Sequence, residues 1–290
     1  MLQMVKNTMI IITCISAVSC NHLDIKGLFI PTGAGVDKRF EQSMELKEDF
    51  KAGQIPAQES YTFYVAADPH IDQSHRNLSI FNDDFRNDNE ASFGIILGDC
   101  IDVKDNLPTY LKALSYQPEK HASNHEIFHI LGNHDIFFNG WEDFKEIIGP
   151  SVYWFELIFD GGKDLYISLD SASGSLGEKQ TDWLKSFLSK NRKGYRHCVI
   201  LTHTNLFYTD LSQDSSGNLP IEESFALMNL FEKHNISLVL QGHDHYREDM
   251  TFRKVRYTVL GAIHDKAATP EYLKVHIGTD SIELDWQSIN

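Results

Sequence analysis

The chain has 290 residues, and 42% of them are hydrophobic, enough to fill one large core or two small ones. With 41 acidic against 26 basic residues, the formal net charge is −15. That balance excludes a broad nucleic-acid-binding or anionic-membrane surface, since either needs basic patches. It leaves room for a phosphorylated small-molecule substrate, because bound divalent ions reverse the potential locally.

The N-terminus reads as an export signal. Lys6 supplies a basic start, residues 9–15 form an apolar run too short to span a membrane, and Ala17-Val18-Ser19-Cys20 follows. The last four residues resemble a bacterial lipobox, in which the cysteine becomes the lipidated first residue after cleavage; Ala17 stands where such motifs usually carry leucine. The expectation is a signal peptide over 1–19, a lipid anchor on Cys20 as the sole membrane attachment, and an exported protein on the periplasmic or surface face of a bacterial membrane. Radiolabelled palmitate should then label the wild type and not Cys20→Ala, and the variant should leave the membrane fraction. Cys14 departs with the signal, while Cys100 and Cys198 lie in or beside apolar runs and read as buried thiols. One disulfide between them is the alternative outside the cytoplasm.

Residues 20–60 read as a tether or packing segment, with a helix or packed tether over 37–50 carried by Phe40, Met44 and Leu46. From Tyr61 the pattern becomes rhythmic. Strand-like runs cover 61–67, 92–97, 126–131, 152–159, 164–169, 197–202, 236–240, 255–260, 272–277 and 281–286. Helical stretches fall at 74–87, 107–115, 141–148, 177–190 and 221–234; in the fourth, Trp183, Phe187 and Leu188 make a core-facing stripe. Asp160-Gly161-Gly162 and Gly278-Thr279-Asp280 read as hairpin turns. Alternating βα units first and hairpins later predict an α/β domain over 61–290, two packed sheets with helices outside.

Five polar stretches follow apolar runs: Asp68-Pro69-His70, Gly98-Asp99, Gly132-Asn133-His134-Asp135, His203, and Gly242-His243-Asp244-His245. Open α/β sheets bind ligands at the carboxyl ends of their strands. Each stretch alone reads as a turn or a hydrogen-bonded strand end, and the recurrence at successive strand ends is what points to metal binding. Imidazole, carboxylate and amide oxygen together suit Mn²⁺, Fe or Zn²⁺ better than a thiolate site or Ca²⁺. Of the 14 histidines, His22, His75, His121, His125 and His234 read as solvated, and His129, His197 and His276 as packed or hydrogen-bonded within strand runs. His264 in Gly261-Ala262-Ile263-His264-Asp265, and Tyr208 and Asp210 after His203, are candidates for lining a pocket.

In this order the five blocks resemble the calcineurin-like metallophosphoesterases, whose pattern runs Asp-x-His, Gly-Asp, Gly-Asn-His-Asp/Glu, a lone His and Gly-His-x-His. The match spans Asp68 to His245. It implies a four-layer αββα sandwich of two mixed β-sheets flanked by helices, with a two-metal centre among the sheets' loops. It further implies that Asp68, His70 and His245 hold one ion, Asn133, His203 and His243 the other, and that Asp99 bridges them. His134 would stand beside the scissile phosphate as the acid for the leaving oxygen, with Asp135 orienting its ring. Two such ions share a water, lower its pKa and deliver hydroxide to phosphorus in line. Asp102 occupies the position where purple acid phosphatases carry a tyrosine, which argues against an Fe(III) enzyme of that kind. Gly98-Asp99-Cys100-Ile101-Asp102 looks more like the cyclic-nucleotide phosphodiesterase-type branch. The alternatives are a phosphomonoesterase or nucleotide pyrophosphatase and, in another class, a catalytically silent metal-binding surface module, which the intact ligand set disfavours.

Overall fold

A computed structural model describes residues 33–46, 54–72, 74–115, 126–207 and 219–290. The signal-like segment with Cys20, and Tyr208 and Asp210, lie outside the described residues. Among the described residues no helix is long and apolar enough to cross a membrane.

In chain order the strands are β1 (Gln54–Pro56), β2 (Tyr61–Ala66), β3 (Ala91–Ile96), β4 (Glu126–His129), β5 (Tyr153–Phe159), β6 (Gly162–Ser168), β7 (Cys198–Leu201), β8 (Leu238–Gln241), β9 (Glu248–Phe252), β10 (Val255–Val259), β11 (Glu271–Ile277) and β12 (Ile282–Ser288). The helices are α1 (Val36–Leu46), α2 (Arg76–Asn87), α3 (Leu107–Ala113), α4 (Asn133–Ile136), α5 (Gly140–Ile147), α6 (Gly177–Asn191) and α7 (Ile221–Lys233). Five strands form one sheet in the order β12-β11-β2-β3-β4, and seven form the other in the order β1-β5-β6-β7-β8-β10-β9. Both are mixed. β2, β3 and β4 run parallel, as do β6, β7, β8 and β10, while β11–β12, β5–β6 and β9–β10 pair antiparallel.

Strand alternation explains the layering. Phe63 and Val65 of β2 point into the space between the sheets, whereas Tyr64 and Ala66 join the helix-facing core with Leu78, Phe81 and Phe85 of α2. In the other sheet Val199 and Leu201 face inward, and Cys198 and Ile200 pack outward with Leu184 and Leu188 of α6 and Phe231 of α7. Successive side chains on a strand take opposite faces, and here both faces are covered, so the strands read as continuous apolar runs. Between the sheets, Phe128 stacks on Phe155 at 4.0 Å and Phe93 meets Phe155 and Tyr166 edge-on at 5.4 and 5.2 Å. These ring contacts cross from one sheet to the other, and so fix how the two sets of strand ends sit beside each other. The four-layer αββα sandwich expected from the sequence is the observed fold.

The segment before Tyr61 contributes to the same body. β1 pairs with the edge of β5, and α1 lies on α6 with the Phe40 and Trp183 rings 5.9 Å apart. Arg39 is fully buried, its guanidinium donating to both Asp170 oxygens at 2.8 Å, to Ser173 Oγ at 3.0 Å and to Ala34 O at 2.7 Å. Removing one member of such a pair strands the other charge in the interior, at a cost of about 3–5 kcal/mol. Arg39→Met should therefore lower unfolding free energy by roughly that amount, read from urea denaturation midpoints. Arg39→Met with Asp170→Asn should recover part of the loss.

Three elements have no counterpart in the periodic reading. β1 is a three-residue edge strand. β9 alternates Glu248, Met250 and Phe252 with Asp249 and Thr251, and its hairpin to β10 turns on Arg253 and Lys254, both at positive φ (48° and 69°). Such turns normally announce themselves with Asn-Gly or Asp-Gly, so the sequence carries no hairpin signal there. α4 is a single turn whose first residue is Asn133, inside the site itself. Cys100 and Cys198 are both free and buried.

Candidate metal centre

The polar stretches leave the carboxyl ends of parallel strands in both sheets: β2, β3 and β4 on one side, β7 and β8 on the other. Backbone bonds then tie the departing loops together. Asp68 N donates to Gly98 O at 3.2 Å, His70 N to Asp99 O at 2.9 Å, and Gly242 N to His203 O at 2.9 Å. Across the sheets, His243 N donates to Asp68 Oδ2 at 2.9 Å. Space is tight enough to require glycine at two places. A Cβ on Gly132 would collide with the Asp99 backbone nitrogen and Oδ1, and one on Gly242 would lie 2.6 Å from Asp68 Oδ2. Asp68, His70, Asp99, His243 and His245 all adopt positive φ, between 43° and 76°. Non-glycine residues rarely adopt that conformation, and it gathers at functional sites.

Three groups of side chains each bring their ligand atoms within 4.8 Å of one another: Asp68, His70 and His245; Asp99, His203 and His243; and His70, Asp99 and His134. Asn133 joins the second, its Oδ1 3.0 Å from His203 Nε2. In the first, His70 Nε2 lies 3.0 Å from His245 Nε2, and His245 Nε2 lies 3.5 Å from Asp68 Oδ1. In the second, His243 Nδ1 lies 3.1 Å from His203 Nε2. Asp99 faces both ways: Oδ2 is 3.4 Å from His70 Nε2, and Oδ1 is 3.4 Å from His203 Nε2.

The chemistry of these donors fits a cation. His203 Nδ1 is 2.7 Å from Leu97 O, which only accepts, so a neutral ring keeps its proton on Nδ1 and presents a lone pair at Nε2. His70 Nδ1 likewise donates to Asp102 Oδ1 at 2.9 Å, leaving its Nε2 lone pair toward Asp99 and His245. Lone pairs of imidazole, carboxylate and amide oxygen thus converge, which is unfavourable unless positive charge lies among them. Without a metal the cluster draws protons instead. Burial pushes His203 down, but the charge and hydrogen bond of Asp99 outweigh it and lift the ring to about 10. Burial likewise opposes protonation of His70, yet its bond to Asp102 and the charges of Asp99 and Asp68 raise it to about 9. Burial would raise the Asp99 carboxyl, and the facing His203 and His134 rings hold it well below the usual range.

His134 stands beside this cluster. Its ring is edge-on to His70 with centroids 4.6 Å apart, rests on Phe137 at 4.8 Å, and keeps 28% of its side chain exposed. Its backbone N–H donates to Asp99 Oδ1 at 2.9 Å. Asp135 departs from the expected role. Its Oδ2 accepts from Gly132 N at 2.9 Å, and its Oδ1 from Cys100 N at 2.9 Å and Ile101 N at 3.4 Å. Both oxygens are spent on backbone amides, so Asp135 joins the Asp99 loop to the Asn133 loop rather than steering the His134 ring. Burial and the neighbouring Asp99 charge push its carboxyl up to about 7 despite those bonds. Besides Asp99, the carboxylate near the His134 ring is Asp102, with Oδ1 4.0 Å from Nδ1.

The three histidines of the strand-like runs follow the plainer reading, while His22, His121 and His125 lie outside the described residues. His276 Nδ1 pairs with Thr62 Oγ1 at 2.8 Å, His197 Nε2 with Gly278 O at 3.1 Å, and His129 packs on Tyr110. His264 does reach the site: its ring lies 5.6 Å from that of His245 and 6.1 Å from that of His70.

An αββα sandwich whose two sheets deliver imidazoles and carboxylates to one shared edge defines a class of metal-dependent hydrolases. The sequence profile described as Calcineurin-like phosphoesterase matches residues 61–247, and the chain belongs to that family, which hydrolyses phosphoester bonds with divalent metal cofactors. No curated protein matches the chain significantly in sequence. In fold it is similar to a dimetal phosphatase from Danio rerio, at 14% identity over 79% of this chain and 96% of that one, with a TM-score of 0.58. It is similar to GAP50, the anchor in the inner membrane complex of Plasmodium, at 15% identity over 79% of this chain and 84% of that one, TM-score 0.58. A third likeness is to purple acid phosphatase PPD1 from yellow lupin (Lupinus luteus) seeds, at 13% identity over 81% of this chain and 53% of that one, TM-score 0.60.

Proposed function

We propose that the protein is an exported phosphodiesterase working through two divalent ions, Mn²⁺, Fe or Zn²⁺, on a phosphorylated small-molecule substrate. The observation that carries this reading is Asp99, whose two oxygens face two separate ligand groups at 3.4 Å each. Asp68, His70 and His245 would hold one ion, and Asn133, His203 and His243 the other. Ions bound there would lower the pKa of a shared water towards neutrality and offset charge on the phosphoryl oxygens. The chain's own part is to hold and move protons around that chemistry. His134 reaches solvent at the edge of the cluster, which supports its role as the acid that would protonate the leaving oxygen. Asp102 fixes the tautomer of His70 by accepting from Nδ1 and lies near the His134 ring. Asp68 and Asp99 are the carboxylates within the ligand groups, so two divalent ions would leave the centre net positive inside an acidic protein.

The preference for a diester rests on the Gly98-Asp99-Cys100-Ile101-Asp102 pattern. A phosphomonoesterase is the second reading, favoured by the phosphatase names of the Danio rerio and lupin proteins. Protein loaded with Mn²⁺ should hydrolyse bis(p-nitrophenyl) phosphate with a higher kcat/KM than p-nitrophenyl phosphate. The reverse ratio selects the monoesterase. Stoichiometric metal with no turnover on any ester sinks both.

A further inference from the structure

The loop after β10 brings one more imidazole to the rim of the centre, and nothing in the metal chemistry accounts for it. The His264 ring stands 5.6 Å from His245 and 6.1 Å from His70, the latter edge-on at 85°. Its nitrogens are not among the atoms that cluster within 4.8 Å around Asp68, His70 and His245, so it stands one step outside the ligand set. It is half-buried.

The ring's hydrogen-bonding state is fixed by its own loop. Lys266 N donates to His264 Nδ1 at 3.1 Å, so Nδ1 is the acceptor and the neutral ring carries its proton on Nε2. Among the described residues no acceptor bonds that Nε2–H. The loop is nonetheless held firmly. Ile263 N donates to Ala67 O at 3.0 Å, and Asn77 Nδ2 to His264 O at 3.2 Å. Asp265 caps the start of α2 from across the chain, accepting from Arg76 N at 2.9 Å, from Asn77 N at 2.8 Å and from the Ser74 hydroxyl. A donor fixed in direction, with no acceptor bonded to it among the described residues and beside candidate metal ligands, is pre-organised for something that binds there. Phosphoryl and ester oxygens only accept, and so match it.

We propose that His264 is a substrate-binding residue that donates an Nε2–H hydrogen bond to an oxygen of the phosphorylated substrate at the His70–His245 edge. The assignment rests on the phosphoesterase reading above. It also gives the site two imidazoles of different duty: His134 for the leaving oxygen, and His264 for holding the substrate.

The test compares His264→Ala and His264→Gln with wild type, all loaded with Mn²⁺. The readouts are calorimetric titration of inorganic phosphate, KM and kcat on bis(p-nitrophenyl) phosphate, and bound metal by plasma emission. His264→Ala should weaken phosphate binding and raise KM by about tenfold or more, the worth of one hydrogen bond to a charged group, with metal content unchanged. His264→Gln, which keeps a neutral N–H donor, should recover most of the loss. Unchanged phosphate affinity and KM in His264→Ala overturn the proposal. Loss of metal overturns it in favour of a ligand role, and equal impairment in both variants in favour of ring packing. Wild-type protein that neither binds phosphate nor turns over any ester overturns the phosphoesterase reading first, and this assignment with it.

Discussion

Asp99→Asn protein is expected to purify with little bound metal and to lose turnover by on the order of 10³-fold or more, the several kcal/mol that metal charge stabilisation supplies. The substitution is nearly isosteric, so the loops need not move. The amide oxygen can still accept from His134 N, now 2.9 Å from Asp99 Oδ1. What changes is charge, together with one lone pair. An NH₂ group in the place of Oδ2, 3.4 Å from His70 Nε2, presents hydrogens where a cation needs an acceptor. Because Asp99 serves both groups, both should empty together. Metal content by plasma emission, read beside bis(p-nitrophenyl) phosphate turnover, decides the matter. Retention of two ions at full occupancy would show that Asp99 does not bridge. Loss of one ion alone would assign it to a single group.

His134→Ala should separate activity from metal content. Acid–base assistance contributes about 10²–10⁴-fold in rate, and kcat should fall within that range while the bound metal stays. The backbone N–H that supports Asp99 survives in alanine, which is why the ligand groups should hold. The rival outcome is built into the geometry, since His70, Asp99 and His134 also bring their ligand atoms within 4.8 Å of one another. If His134→Ala sheds metal in proportion to activity, the ring is a ligand. A substrate with a good leaving group sharpens the distinction. p-Nitrophenolate needs little protonation, so the loss on a p-nitrophenyl ester should be smaller than on an alkyl ester if His134 is the acid. A ligand role would impair both substrates equally.

The site was more legible in the sequence than parts of the fold, for a physical reason. Ligands must be rare residue types, they must follow a strand to reach the sheet edge, and glycine must precede several of them for loops to meet. All of that is written locally, as in Gly132-Asn133-His134. β9 has no such local mark: it is an edge strand with polar residues on one face, and Arg253-Lys254 is forced into a left-handed turn by the pairing around it. Side-chain direction is also not local. Asp135 stands next to His134 in sequence, yet its carboxylate is captured by the amides of Gly132, Cys100 and Ile101, because α4 turns it back toward the Asp99 loop. His264 lies nineteen positions after His245, and only the pairing of β8 with β10 returns it to the rim.

The five candidate ligands held at positive φ have a consequence for how such a site persists. Each such residue costs of order 1–3 kcal/mol relative to an ordinary backbone, and a whole domain is stable by only about 5–15 kcal/mol. Replacing Asp68, His70, Asp99, His243 or His245 by glycine would relieve that cost. The same substitutions would strand other groups, since Asp68 accepts from His243 N and Asp99 from His134 N, so the backbone cost is set against hydrogen bonds that hold the loops together. Strained positions gather at functional sites, and the coincidence of all five with the candidate ligands supports reading the centre as a working one.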